Sequence, residues 1–390
     1  MGQKKFVLGN VAQISSAEVS FGDLTVLVGP QASGKSIFLH LFKLALDAGN
    51  INSELKKNGM HWNSELGKYL SLYLGEGMEQ AWGESSFMHY QGRALGMDAR
   101  MRAKKSKESS FFIPAQRVLT LRNGWPRPFT DYDSGDPYVV RHFSEMIRHL
   151  MEAGLGSGAS AIFPQSGRLK KDLRDVLSRG IFSGSELRLD THGLQKRIIL
   201  QAGGSSLPFM VWSAGQREFI PLLLGLYWLL PPSKVSKHKD IDWVILEEPE
   251  AGLHPQAISG VLLALLELVD RGYKVVLSTH STHVLDFLWG WNVLRSVSGD
   301  PCLLLDMLDA PKTHALGEIA KRVAGASTRV YYFERDGEQV ATKDISSLDP
   351  GAEAVQEWGW GGLAEFSGRV SDVVSAMVQQ YEQESGNGVA

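Results

Sequence analysis

The chain has 390 residues, a formal net charge of −3, 43% apolar and 21% charged residues, and a single cysteine. Such a composition suits an ordinary folded protein with a core that needs no disulfides. It excludes a disulfide framework, a cysteine-built zinc site and a wholly basic nucleic-acid-binding body.

The N-terminus, Met1-Gly2-Gln3-Lys4-Lys5, leads straight into strand-like sequence without a signal-peptide h-region. The longest apolar runs, 220–230 and 261–269, fall short of the roughly 20 residues of a membrane span. A cytoplasmic protein without a membrane partner is expected. Residues 6–8 and 14–21 read as strands, and Leu24–Val28 as a short buried strand.

Directly after it comes Gly29-Pro30-Gln31-Ala32-Ser33-Gly34-Lys35-Ser36, a gapless G-x-x-x-x-G-K-[ST] run opening a helix at 36–46. The glycines let successive N–H groups of Gln31, Ala32 and Ser33 turn toward phosphate oxygens, and the helix N-terminus adds partial positive charge. Lys35 is assigned to the β- and γ-phosphates of ATP and the Ser36 hydroxyl to Mg²⁺.

Residues 50–108 read as helical, broken by Gly59, Gly75 and Gly92. Residues 110–114 read as a strand leading to Gln116. Residues 123–136 form a Pro/Gly/Asp-rich loop, 136–152 and 169–179 helices, and 154–167 a linker. Strands are expected at 197–201 and 207–212. Ser213-Ala214-Gly215-Gln216 then opens a long apolar helix; this is either a second anion site or a simple capping box with Ser213 as cap.

Trp243-Val244-Ile245-Leu246 is an apolar strand ending in Glu247-Glu248-Pro249-Glu250. An acid at the strand tip suits Mg²⁺, so Glu247 is assigned there and Glu248 to the attacking water. A helix at Pro255–Asp270 and a strand at Lys274–Ser278 follow, delivering His280, which is either structural or a γ-phosphate sensor. A helix at 281–288, a hairpin around Asp336-Gly337 and a helix at 370–382 complete the pass.

In this order the motifs resemble the ABC ATPase superfamily, in the branch of RecF, SMC and OLD-family proteins. Gly29–Ser36 matches Walker A, and Ser213–Gln216 the signature motif. Glu248-Pro249-Glu250-Ala251-Gly252-Leu253-His254-Pro255 matches that branch's E-P-E-x-x-L-H-P, His280 the switch histidine, and Gln116 a Q-loop glutamine that would reach the metal. Glu247 departs from the usual Asp.

The resemblance implies an α/β P-loop NTPase with a mixed sheet flanked by helices and a helical insertion lobe. Residues 1–50 and 195–345 would form the ATPase core, 51–194 the lobe and 346–390 a C-terminal helical segment. It also implies an ATP hydrolase working as a head-to-tail dimer or higher homo-oligomer, with Ser213 and Gly215 completing the partner's site.

Past His280, Asp306, Asp309, Glu334 and Asp336 do not form the acidic pattern of an OLD nuclease. Any effector that it controls would then be a separate protein, and the resemblance implies such a sensor or scaffold role, with anti-phage defence as the setting. The alternative is a RecF/SMC-like ATPase that clamps DNA. The basic run Arg100–Lys107 is either a contact for nucleic-acid phosphates or an acidic protein, or a solvated helix face or loop; nucleic acid or a phage protein is a further expected partner.

Overall fold

A computed structural model of the chain describes residues 4–155, 161–165, 167–191, 196–231 and 237–348, with 373, 374 and 377. The first part contains β1 (Lys5–Val11), β2 (Ile14–Ser20), β3 (Leu24–Val28), α1 (Lys35–Lys57), α2 (Leu66–Leu74), β4 (Trp82–Tyr90), β5 (Arg93–Ala94), α3 (Met97–Met101) and β6 (Ser110–Ile113). The middle contains β7 (Leu121–Arg122), β8 (Trp125–Pro126), α4 (Tyr138–Glu152), β9 (Ala161–Phe163), α5 (Lys171–Leu177), β10 (Glu186–Asp190), β11 (Arg197–Ala202) and β12 (Ser205–Pro208). The last part contains α6 (Ala214–Leu229), β13 (Trp243–Glu247), α7 (Pro255–Asp270), β14 (Lys274–Ser278), α8 (Thr282–Ser296), α9 (Leu303–Met307), α10 (His314–Val323), β15 (Thr328–Asp336) and β16 (Gln339–Asp344).

Ten strands form one mixed sheet in the order β5-β4-β1-β2-β16-β15-β3-β14-β13-β6. From β15 to β6 all neighbours run parallel. Of these, β3, β14, β13 and β6 are buried on both faces, which is why they read as near-continuous apolar runs. Their side chains alternate between two cores. Val26, Ile113, Val244 and Val275 face the side covered by α6, α7, α8 and α10. Leu27, Phe112, Ile245 and Val276 face the side covered by α1 and α2. The fold is the expected mixed α/β sheet flanked by helices.

Three stretches differ from the sequence reading. Residues 82–90 form β4 rather than helix; half exposed and largely polar, it takes its strand form from pairing with β1. Residues 207–212 are not one strand. Pro208 ends β12, and 209–211 make a single 3₁₀ turn. Helix α1 runs eleven residues past the expected end, through a non-helical Asp47. Between 51 and 194 the structure thus contains strands as well as helices, and β9 to β12 make a separate four-stranded antiparallel sheet. The expected helix at 370–382 lies outside the described residues, save for helical 373, 374 and 377.

The break at Asp47 has an electrostatic origin. Its carboxylate accepts from the backbone N–H of Ser109 at 2.8 Å and of Ser110 at 3.0 Å, tying the helix to the start of β6. Lys43, fully buried, stands 3.3 Å from Asp47 and 2.9 Å from Glu108. His142 on α4 extends the cluster, 3.0 Å from Glu108 and 2.5 Å from Glu54.

Burial works against the charge on His142, but Glu54 and Glu108 outweigh it and raise its pKa to about 10. Burial likewise opposes charge on Glu108, and Lys43 with His142 holds it well below the carboxylate range. A raised histidine stabilises fully below its unfolded value of about 6.5 and stops doing so as pH climbs through its folded value. The depressed carboxylates act at the other end, losing their contribution as pH falls below about 4. The melting temperature should therefore decline from about pH 6.5 toward pH 10. His142→Gln should melt lower at pH 6 and lack that alkaline decline, which thermal scans across pH will check.

Candidate functional site

The site lies along one edge of the sheet. β3, β14, β13 and β6 are parallel and in register: Leu27 is level with Ser278, Ser278 with Glu247, and Leu246 with Ile113. Their carboxyl ends therefore release four loops on the same side: 29–34, 279–281, 248–254 and 114–116. Ligands of open parallel sheets bind at such an edge.

In the first loop, Gly29 has φ +146° and Gly34 φ +86°, and Ala32 is left-handed at φ 55°. A Cβ on Gly29 would stand 2.7 Å from the Phe333 carbonyl oxygen on β15, so this position needs glycine for space as well as conformation. Gln13 braces the loop by donating its amide to the Ala32 carbonyl at 3.0 Å. Lys35 is buried, and its Nζ donates to the carbonyls of Gly29 and Pro30, both at 2.8 Å, and to Ser33 Oγ at 3.2 Å. Burial pulls its pKa down to about 8 against the attraction of Glu248. Gln31, Ala32 and Ser36 are exposed on the loop and at the start of α1.

Glu247 ends β13 and is 1% exposed. Its Oε2 accepts from the Ala115 N–H at 3.2 Å. Its Oε1 has no hydrogen-bond partner among the described residues, and His40 Nε2 stands 3.7 Å away. Burial opposes its charge, but His40, Ser36 and the Ala115 N–H together hold its pKa below the ordinary value. A buried carboxylate oxygen without a donor, beside a serine hydroxyl, fits a hard cation such as Mg²⁺. Among the described residues no group of three or more His, Cys, Asp or Glu could hold a metal on its own. The fit is therefore to a cation that shares phosphate oxygens.

Glu248 has left-handed φ of 44°, uncommon for a residue with a side chain. Its N–H donates to the Ser278 carbonyl at 3.0 Å, and its Oε1 stands 3.3 Å from His280 Nε2. The hydrogen bond from His280 lowers its pKa against partial burial, aided by the charges of His280 and Lys35. Glu250 fixes the histidine turn: its Oε1 accepts from Thr279 Oγ1 at 2.5 Å and from the His280 N–H at 2.9 Å.

The signature segment is a capping box, one of its two sequence readings. Gln216 N–H donates to Ser213 Oγ at 3.3 Å, and the Ser213 N–H to Gln216 Oε1 at 3.1 Å. Ser213 remains exposed while Gly215 is half buried. A Cβ on Gly215 would lie 2.9 Å from the Gly252 carbonyl oxygen, so the start of α6 rests on the loop after β13. Among the described residues, no hydrogen bond links Ser213–Gln216 to the glycine loop.

Gln116 is exposed, between Ala115, which bonds Glu247, and Arg117, which is fully buried. The structure thus gathers the glycine loop, Glu247, Glu248, His280 and the Gln116 segment at one edge, and seats Ser213–Gln216 on the neighbouring loop. Sequence reasoning missed Gln13, His40, Arg117 and the hold of Glu250 on the turn before α8. None of them carries a local sequence signal, because each acts on a distant part of the chain. Of the basic run, Arg100 bonds the Ala45 carbonyl and Lys107 pairs with Asp240.

On the expectation that this loop cradles the phosphates of ATP, Gly29→Ala should weaken ATP binding at least about tenfold, because the loop would be displaced. Calorimetric titration of ATP, with circular dichroism to confirm a retained fold, checks this.

A family model described as "AAA domain, putative AbiEii toxin, Type IV TA system" matches residues 130–286. The Old nuclease of Escherichia phage P2 is 38% identical over 52 residues, 13% of this chain and 9% of that protein. The chain thus spans under a tenth of the length of the curated relative it matches. Among solved structures, the SMC head domain from Thermotoga maritima is similar at 13% identity, covering 88% of this chain and 99% of that one, TM-score 0.38. An Smc head bound to the C-winged helix domain of ScpA is similar at 10% identity, covering 87% and 96%, TM-score 0.42. No helix of the described residues is long and apolar enough to cross a membrane.

Proposed function

We propose that this chain, an ATPase of the ABC/SMC/OLD type by its motifs, sheet and family match, binds ATP with Mg²⁺ at Gly29–Ser36 and hydrolyses it. One observation carries the reading: Lys35, Glu247, Glu248 and His280 converge on one sheet edge, with Glu248 electrostatically linked to both Lys35 and His280.

The loop amides of Gln31, Ala32 and Ser33 and the start of α1 bind the phosphates, and Lys35 adds its charge to the β- and γ-phosphates. Mg²⁺, when bound, neutralises developing charge on the phosphates; Ser36 and Glu247 would hold it, with Gln116 within its segment's reach. Glu248, kept ionised beside His280, orients the attacking water and accepts its proton. His280 fixes the carboxylate and senses the γ-phosphate.

Lys35→Ala should abolish detectable ATP binding by calorimetry. Glu248→Gln should keep binding but cut hydrolysis at least about tenfold, since an amide cannot act as general base. Normal turnover by Glu248→Gln together with trapped ATP in Glu247→Gln would reverse the two assignments.

Two protomers would sandwich the nucleotide, with Ser213 and Gly215 of one facing the γ-phosphate held by the other. The cap of α6 supports this: Ser213 is exposed and bonds within its own helix rather than to its own glycine loop. Co-expressed Lys35→Ala and Ser213→Arg chains should recover part of the activity that each lacks alone. Absence of recovery in verified mixed oligomers would mean that each chain completes its own site.

The assembled ATPase would act as a sensor or scaffold that controls a separate effector, in a conflict between bacterium and phage. The wording of the family model and the phage relative lean that way. ATPase stimulation by DNA with steep salt dependence would favour the DNA-clamping reading instead.

A further inference from the structure

Arg117 is fully buried and belongs to none of the motifs assigned above. Its guanidinium reaches three separate parts of the site. Nη1 donates to the Glu247 carbonyl at 3.1 Å and Nη2 to the Glu248 carbonyl at 3.0 Å. Nε donates to the Glu218 carbonyl on α6 at 3.0 Å, and Nη2 stands 3.5 Å from Glu218 Oε2. Nη1 also approaches the carbonyl of Pro114 at 3.4 Å.

These bonds have consequences for Glu248. Its left-handed backbone is a conformation that persists only where the surroundings impose it. The Ser278 carbonyl holds its N–H from one side, and Arg117 holds its carbonyl from the other. Glu218 lies two residues past Gln216 on the same helix, and its Cγ is 3.1 Å from where a Cβ on Gly252 would stand. A shift of α6 therefore bears on the loop after Glu248 directly through Gly215 and Gly252, and again through the guanidinium. A lysine could not reproduce this bracket, because only the planar fork presents several donors in fixed directions.

We infer that Arg117 is a positioning residue that makes the orientation of Glu248 depend on the position of the signature helix. A partner's nucleotide docking on Ser213 would thereby set the carboxylate of this protomer for hydrolysis. The inference rests on the ATPase reading above, and adds to it the route by which one motif addresses the other. Among the described residues neither member of the pair hydrogen-bonds the glycine loop, so binding and turnover should separate when it is broken.

The test uses the full chain with ATP and Mg²⁺. Arg117→Lys should lower kcat at least about tenfold while ATP affinity, by calorimetry, stays within about threefold. Glu218→Gln, which removes only the ion pair, should lower kcat by a smaller factor of about two to five at unchanged ATP affinity. The double variant should turn over no more slowly than Arg117→Lys alone, since the two act through one bracket.

A kcat for Arg117→Lys within about twofold of wild type overturns the inference, as does a parallel loss of ATP affinity and thermal stability, the mark of a merely structural arginine. If Arg117→Lys fails to fold, Glu218→Gln decides: lowered kcat at unchanged affinity supports the coupling, and unchanged kcat overturns it. A wild-type chain that binds ATP but never turns it over overturns both the ATPase reading and this one. A turning-over wild type with an indifferent Arg117 overturns this one alone.

Discussion

Ser278 pairs with Leu27 on one side and is level with Glu247 on the other. That register of three parallel strands is the constraint on which the site depends. A one-residue slip of β13 would turn Glu247 to the opposite face of the sheet and carry Glu248 away from His280. Both sheet faces are buried, with Ile245 and Val276 packed under α1 and Val244 and Val275 under the helices opposite. A slip would therefore scramble two cores at once. Apolar packing far from the glycine loop thus fixes where the carboxylates emerge.

At the strand ends, apolar packing gives way to hydrogen bonds that hold unusual conformations. Glu248 departs from strand geometry at once, and its amide is taken by the neighbouring strand's last carbonyl. Glu250 then turns its carboxylate to Thr279 and the His280 amide, so the histidine loop is shaped by the acid two residues beyond the one it faces. In E-P-E the first acid has the histidine ring as partner, and the second has that residue's backbone. Pro249 between them lacks an N–H and cannot continue the strand ladder.

The glycine loop, the acidic strand end, the capping box and the central strands were legible because each is written in contiguous residues. Gly29 and Gly34 announce backbone conformations that other residues adopt poorly, and Leu24–Val28 announces a doubly buried strand. The rest depends on contacts between distant parts of the chain. Arg117 finds its partners 101 and 130 residues away, and no local pattern records that. Gln13 supports Ala32 from a turn between two strands, and His40 meets Glu247 only because α1 crosses the sheet above it. β4 was missed for a related reason. Its polar sequence has no strand periodicity, and β1 supplies the order.

β6 shows how this arrangement is kept rigid at its weakest place. It is the last strand of the large sheet in the described order, hydrogen-bonded to β13 alone, and a four-residue edge strand is free to fray. Yet it must hold Ala115 against Glu247 and present Gln116. Its two ends are tied by charge. At the start, Asp47 takes the amides of Ser109 and Ser110, and Lys43 bonds the Ser110 carbonyl at 3.0 Å. Just past the end, Arg117 locks onto the carbonyls of Glu247 and Glu248. Between them Phe111 stacks on Trp228 with ring centroids 4.3 Å apart, which ties the strand to α6. Buried ion pairs add little net stability compared with apolar contacts, but they are directional. Here that direction matters: the first cluster sets β6 relative to the helix that follows the glycine loop, and the second sets it relative to the helix that follows Ser213. The short edge strand is thereby referred to both α1 and α6.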